Sequence, residues 1–488
     1  MCVIGAGVSG LAAAKVLLED GFGIDVFEKK SDLGGTWHPD NTYPGLRTND
    51  PGDIYRFSEH PYPVTADEYP TAKQVHAYLH DYAERFDLRR HMQFDTEVRH
   101  VERTPEDADD SDARFRVSLQ SADGPEVRDY DRVVVCNGVF SEPSVPRFEG
   151  DDGFEGQILH SSEVDADQLR GRRVIVVGGG KSAYDIAEAA AGLSSSCTLV
   201  FRSAHWIAPR HLLGVRGDWL VLTRFAQALL PYHTKTGLAD LLHRYATPAV
   251  SLYWRFMSSF LRRYLDIPDD LEPDAPFPVG FQDIGAGTEL YDEVRAGNIE
   301  PHRAEIDHFA GGRTIRLDTG ATVEADLVVC ATGFTRSVDF LDEDLQAHVL
   351  DDDGFFTLYR QILPPREPGL GFLGYGSSLG TTLTSEVGAH WLAAHFGGQM
   401  SLPEPEVMDS RIDAVKEWAA RMLPRESGGH LIAVYVVDYL DELLRDMGVP
   451  VKRLDNWFVE HFGRVHAERY AGLGDERRAM ASTCRVMH

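Results

Sequence analysis

One glycine pattern occurs twice in this chain, and it limits the possible folds more than any other feature. Gly5-Ala6-Gly7-Val8-Ser9-Gly10 follows the apolar run Cys2-Val3-Ile4, leads into the helical pattern Leu11 to Asp20, and is followed by a second apolar run, Ile24 to Glu28. Strand, glycine turn, helix and returning strand make half of a dinucleotide-binding unit. In such a unit the first glycine permits the tight turn and the second admits a pyrophosphate to the backbone. The third lets helix and strand close together, and the helix N-terminus stabilises the phosphates. The signal returns as strand Val174 to Val177, turn Gly178-Gly179-Gly180-Lys181-Ser182-Ala183, helix Ser182 to Gly192 and strand Thr198 to Arg202, with Ala183 in the third glycine's place.

The two units end differently, and that difference carries chemistry. Glu28 stands 18 residues beyond Gly10, with Lys29 beside it, where a carboxylate can accept from the hydroxyls of an adenosine ribose. Arg202-Ser203 stands at the matching place in the second unit. A guanidinium there pairs with a 2′-phosphate that a carboxylate would repel, which predicts NADPH over NADH. Two sites of opposite ribose chemistry imply two different dinucleotides, and FAD with NADPH is the economical assignment.

A second repetition sets the domain plan. The acid-led β-branched runs Tyr130 to Gly138 and Asp326 to Gly333 each trail one glycine unit and end in Cys136-Asn137-Gly138 and Ala331-Thr332-Gly333. The length of 488 residues allows two to four domains at roughly 150 residues each. The expected fold is therefore α/β: two Rossmann-like dinucleotide-binding domains, for FAD and NADP, with a helical insertion and a helical C-terminal segment. The boundaries place a discontinuous FAD-binding domain at 1–147 and 325–488, around an NADP-binding domain at 148–324. Softer landmarks are the acidic turn Glu106 to Asp112, the Pro-rich connection Ser141 to Phe148 and the breaker cluster Pro268 to Pro278. The insertion, about 206–278, reads as several helices including Leu238 to Leu265, and its Trp206, His211, Trp219, Tyr253 and Trp254 are candidate pocket walls. Two late helical patterns span Arg411 to Met422 and Leu431 to Met447.

Composition removes several classes of function. Acidic residues outnumber basic ones 77 to 48, for a formal charge of −29, and no basic run tracks a phosphate backbone, so nucleic acid is a poor partner. Five scattered cysteines without a C-x-x-C argue against a disulfide framework and for a reducing compartment. With no leader pattern and no apolar stretch of spanning length, the expectation is a cytoplasmic protein without a membrane span; a homodimer stays open. Gly376-Ser377-Ser378-Leu379-Gly380 matches G-x-S-x-G, but a hydrolase would need a strand-to-helix elbow there and ordered Asp and His partners, and a hydrolase is not expected. His76 and His80 share a helix face as metal ligands can, yet no third ligand is evident, and no metal is expected.

Taken together, these motifs resemble the flavin-containing monooxygenases that bind FAD and NADPH through two Rossmann folds. The resemblance rests on both glycine units, Gly34-Gly35-Thr36-Trp37, the loop Tyr43 to Asn49 ending in Thr48-Asn49, and Tyr69-Pro70-Thr71. It continues through Phe154-x-Gly156-x-x-x-His160, the Cys-Ala-Thr-Gly-Phe run at 330–334 and the late Asp438 to Leu443. It implies that Val98 joins Glu28, Lys29, Gly35, Thr36, Trp37 and Thr48 at the flavin, and that His160 organises the linker between domains. It also implies a C4a-hydroperoxyflavin formed with O2, which transfers one oxygen atom to a nitrogen or sulfur centre of a small organic substrate. Asn49 is the implied catalytic residue, its neutral amide suiting a peroxide that stays protonated. Three departures bear on subclass: Val164 where Baeyer–Villiger members carry Trp and N- or S-oxygenating members an aromatic, Gly52 where many N-oxygenating members carry Lys, and Cys136-Asn137 where Ala-Thr is frequent. Baeyer–Villiger oxygenation of a ketone, and an NADPH oxidase without oxygen transfer, remain the alternatives.

Overall fold

The structure is a computed structural model that describes all residues except 105–113, 208, 236, 275–286, 423–430, 434 and 487–488. The acidic turn at 106–112 thus lies outside the described residues, as does the end of the breaker cluster beyond residue 274. Two five-stranded parallel sheets carry the fold. The first runs, in spatial order, Leu370–Phe372, Val133–Val135, Cys2–Ile4, Asp25–Phe27 and Met92–Gln93. The second runs Ile299–Arg303, Ser196–Phe201, Arg173–Val177, Leu327–Cys330 and Gln157–His160. Parallel sheets are covered on both faces, so their central strands read as continuous apolar runs; Val3, Val134, Val176 and Val328 are fully buried.

In each sheet the strand before the glycine turn is central. It is flanked on one side by the strand that follows its helix and on the other by one of the repeated acid-led runs. The sequence repetition is therefore a repetition of position in the fold. Leu327–Cys330 pairs within the second sheet on both edges, with Val174–Val177 and with Gln157–His160. The expected boundary at 324/325 falls ahead of this strand, which pairs on both edges with strands of the 148–324 segment. The first sheet is completed only by Leu370–Phe372, after the chain has left the second.

The insertion is helical, but Leu238 to Leu265 is two helices, Leu238–Tyr245 and Thr247–Leu265. Pro248 explains the break: it lacks the N–H a continuous helix needs there and fits the first turn of a new one. The candidate pocket walls divide between core and surface, with Tyr253 and Trp254 in ring contact at 4.9 Å. Trp206 and Trp254 are core residues, the latter donating from Nε1 to the Leu229 carbonyl at 3.0 Å, whereas Trp219 is 44% exposed and His211 faces Glu68. Near the C-terminus the helices are Pro405–Met422 and Val436–Asp446, and Leu431–Ala433 is instead a strand beside Ser377–Ser378. Among the described residues no helix is long and apolar enough to cross a membrane.

Candidate active site

The first glycine turn is built by close backbone contact. Gly5 has φ +102°, and a methyl group on it would lie 2.7 Å from the Cys136 carbonyl oxygen; on Gly10 it would lie 1.9 Å from the carbonyl oxygen of Gly5. On Gly7 it would lie 3.3 Å from Gly35 Cα, so the glycine turn and the Gly34-Gly35-Thr36-Trp37 segment touch backbone to backbone. Helix Val8–Glu19 begins at Gly7 without a side-chain cap, leaving its first N–H groups for an anion. Glu28 is buried, its carboxylate accepting from the backbone N–H groups of Ala6 at 2.8 Å and Lys30 at 2.9 Å. Thr96 and Asp95 donate to the Glu28 and Lys30 carbonyls, which draws the start of strand Glu97–Arg103, with buried Val98, to the end where exposed Lys29 stands. Ser9 Oγ meets Ser385 Oγ at 3.0 Å, Trp37 donates from Nε1 to the Tyr55 hydroxyl at 2.8 Å, and Thr36 is exposed.

The second turn repeats the first. A methyl group on Gly178, at φ +142°, would lie 2.3 Å from the Ala331 carbonyl oxygen, as Gly5 faces that of Cys136. Gly179 is pressed against the Ser203 carbonyl oxygen, at 2.6 Å from the same kind of added methyl, so Arg202-Ser203 runs beside the turn. Nothing lies within 4 Å of a methyl on Gly180, and Ala183 shows that the third position tolerates one. Helix Lys181–Leu193 likewise starts uncapped. Lys181, expected at the cofactor, pairs with Asp185 one turn on, and the Tyr43 hydroxyl donates to the same carboxylate at 3.2 Å. His205, which the motif reading passed over, also packs on Gly179. Two uncapped helix N-termini against bare backbone turns fit one dinucleotide each.

Between the turns lies the loop that carries Asn49. Thr48 and Asp50 are buried, and the Thr48 hydroxyl and Asn49 Oδ1 are buried with no hydrogen-bond partner. Orphaned polar atoms of this kind cost free energy unless a ligand satisfies them. Asp50, by contrast, is spent: its Oδ2 accepts from the Gly380 N–H at 2.7 Å, tying the loop to the start of helix Thr381–Phe396. Burial pushes its carboxyl up to about 7, against the Gly380 hydrogen bond, which pulls it down. Gly52 sits where a methyl would meet Pro70 at 3.2 Å and Tyr62 at 3.3 Å, leaving little room for a longer side chain.

Two chain crossings join the sheets, and they hold each other. Glu142–Pro143 pairs antiparallel with Phe334–Thr335, the Thr332 hydroxyl donates to the Ser144 carbonyl, and Ser144 N donates to the Gly333 carbonyl at 3.0 Å. Gly138 and Gly333 both turn here at positive φ. Asn137 bridges the crossing by donating to the Ser337 carbonyl and accepting from the Tyr375 hydroxyl at 2.7 Å. His160 is fully buried, and its Nε2 lies 2.9 Å from the Gly333 carbonyl. Burial holds its pKa below the ordinary value although that carbonyl favours the proton, which fits a linker role.

Ser378 of the G-x-S-x-G match does end a two-residue strand ahead of helix Thr381–Phe396, but its hydroxyl meets Thr384 Oγ1 at 2.9 Å, not a histidine ring. For the two histidines, the third ligand that the sequence did not reveal is present, since Asp32 lies beside His76 and His80.

A description of flavin-binding monooxygenase-like proteins matches residues 1–245 and 282–456. The human "Flavin-containing monooxygenase 1" is 30% identical over 437 residues, covering 86% of this chain and 77% of its own. Among solved structures, an S-allyl-L-cysteine S-oxygenase from Allium sativum superposes with a TM-score of 0.65 at 22% identity, covering 100% of this chain and 98% of its own. An open crystal structure of cyclohexanone monooxygenase gives 0.68 at 21%, covering 91% and 96%. With two duplicated dinucleotide turns and a family match over most of its length, the chain belongs to the flavin-binding monooxygenase-like family and is an FAD- and NADPH-dependent monooxygenase.

Proposed function

We propose that this enzyme transfers one oxygen atom from O2 to a nitrogen or sulfur centre of a small organic substrate. The observation that carries the proposal is Asn49 Oδ1, buried and without a partner, beside an Asp50 carboxylate already committed to Gly380. Bound FAD supplies what no side chain can, accepting hydride from NADPH and activating O2. The protein contributes position and shelter. Asn49 offers a neutral amide that can donate or accept without drawing off a proton. Asp50 Oδ2 is engaged by the Gly380 N–H, so the orphaned polar atom at this point of the loop belongs to a neutral amide. Val164, buried in the second sheet's core, weakens the Baeyer–Villiger alternative by the absence of its expected Trp, although it is not the aromatic expected of N- or S-oxygenating members either.

The test is a product analysis under ¹⁸O2 with NADPH and three substrates: a tertiary amine, a thioether and a cyclic ketone. N-oxide or sulfoxide carrying one labelled atom is the expected result. A labelled lactone with no N- or S-oxide would replace the proposal by Baeyer–Villiger chemistry, and stoichiometric peroxide with every substrate would replace it by an oxidase. Asn49→Asp should lower N- or S-oxide formation at least about tenfold while NADPH consumption continues as peroxide release, because a charged group then occupies the neutral amide's place.

A further inference from the structure

Three potential metal ligands converge outside the nucleotide turns. Asp32 lies in the loop between Glu28 and Gly34-Gly35, and His76 and His80 sit one turn apart on helix Ala72–Arg85. One ligand atom from each lies within 4.8 Å of the others. Asp32 Oδ2 faces both rings, 2.8 Å from His80 Nε2 and 3.8 Å from His76 Nε2. Ligands around a tetrahedral ion bonded at about 2.0–2.1 Å stand about 3.4 Å apart, so the set must contract on binding and His76 Nε2 must exchange the Leu33 carbonyl oxygen, 3.1 Å away, for the ion. The other carboxylate oxygen, Oδ1, accepts from the Leu33 N–H at 2.9 Å, an outer contact of the kind that orients a ligating carboxylate. His80 Nε2 is buried and makes no hydrogen bond, despite its carboxylate neighbour. His76 is held tightly, with a methyl on Gly34 falling 2.9 Å from its Cδ2.

We propose that Asp32, His76 and His80 bind a divalent transition metal of the Zn²⁺ class, which clamps the loop after strand Asp25–Phe27 onto helix Ala72–Arg85. Two imidazoles and one carboxylate suit Zn²⁺ and leave a fourth position for water. The carboxylate arrives 44 residues ahead of the first histidine, so only the fold assembles the set. Arg89 is the local competitor. Its Nη1 lies 3.4 Å from Asp32 Oδ1 and 3.2 Å from His80 Nδ1, and its side chain is 41% exposed, free to swing outward when the ion enters.

The experiment titrates ZnCl2 into the full-length FAD-loaded protein by calorimetry, with a thermal melt of each sample. The wild type should bind one equivalent at least about tenfold more tightly than His80→Ala or Asp32→Asn, and melt higher with Zn²⁺ than without. His91→Ala, outside the cluster, should match the wild type. Flavin absorbance reports whether each variant is folded; should His80→Ala lose flavin, His80→Gln takes its place. Arg89→Gln removes the competing cation and should tighten Zn²⁺ binding at least about threefold. Wild-type stoichiometry and affinity in His76→Ala/His80→Ala would overturn the proposal. So would weaker binding in Arg89→Gln, which would make the cluster a knot of ion pairs that needs its arginine.

Discussion

At the scale of single residues, the two ribose ends make opposite demands on charge. Arg202 is exposed at the end of strand Ser196–Phe201, with the backbone of Ser203 against Gly179. Arg202→Ala should raise the KM for NADPH at least about tenfold and leave that for NADH nearly unchanged, since only NADPH presents a 2′-phosphate; equal changes in steady-state assays would remove its assigned role. Asp50 makes a pH prediction. Its folded pKa of about 7 lies above its ordinary value near 3.8, so the folded state keeps a proton that the unfolded chain releases. The stability this confers is complete below about pH 4 and is lost as pH rises through 7. Asp50→Asn keeps an acceptor for the Gly380 N–H but cannot ionise. Its advantage over the wild type should therefore widen from pH 5 to pH 8 by on the order of 1–3 kcal/mol in denaturant unfolding. Glu386, Glu188 and Asp438, also pushed to about 7, titrate in both proteins and cancel. A gap that does not change with pH would show that Asp50 stays ionised. Asp50 was visible in the sequence only as a neighbour of Asn49, because its partner Gly380 lies 330 positions away.

At the scale of elements, the two turns share a pattern but not a tolerance. Gly10→Ala places a methyl 1.9 Å from the Gly5 carbonyl oxygen, a backbone atom that cannot give way without opening the helix from its strand. This should cost about 1–3 kcal/mol or more and yield protein without FAD, read by flavin absorbance and melting temperature. Gly180→Ala meets nothing within 4 Å, so FAD content and melting temperature should hold and only NADPH affinity should fall. A Gly10→Ala protein that retains flavin would mean that the third glycine is not a packing requirement. These tolerances were half legible. The fingerprint permits Ala in third position, and Ala183 uses that licence, but which turn is the tighter depends on how closely each helix approaches its strand. The break at Pro248 could have been read from its residue type, whereas strand Leu431–Ala433 could not, because its partner Ser377–Ser378 is remote in sequence.

At the scale of the whole molecule, a net charge of −29 surrounds a site for a polyanion. The general repulsion acts over long distances and is screened once the Debye length falls to about 10 Å, near 0.1 M salt. The contact proposed between Arg202 and a 2′-phosphate would be short and would weaken only at higher salt. The KM for NADPH should accordingly fall as salt rises to about 0.1 M and climb beyond it. In Arg202→Ala the falling arm should remain and the climb should disappear. A KM that only rises from the lowest salt would show that the local contact outweighs the field of the protein throughout. At the same scale, two chain crossings, tied by His160, Thr332 and Asn137, link one sheet to the other.

Residues close in the chain were enough to determine the two turns, the strand that follows each helix, the acid-led runs beside them and the opposite charges of Glu28 and Arg202. Strand, turn and helix are local structures, and their periodicity and glycine spacing are written within about thirty residues. Tertiary structure alone decided which sheet receives Leu327–Cys330, that Lys181 answers to Asp185 and Asp50 to Gly380, and that Asp32 meets His76 and His80. Sheet membership and side-chain pairing are contacts across space, and which carboxylate pairs with which partner depends on burial and distance that no local pattern encodes.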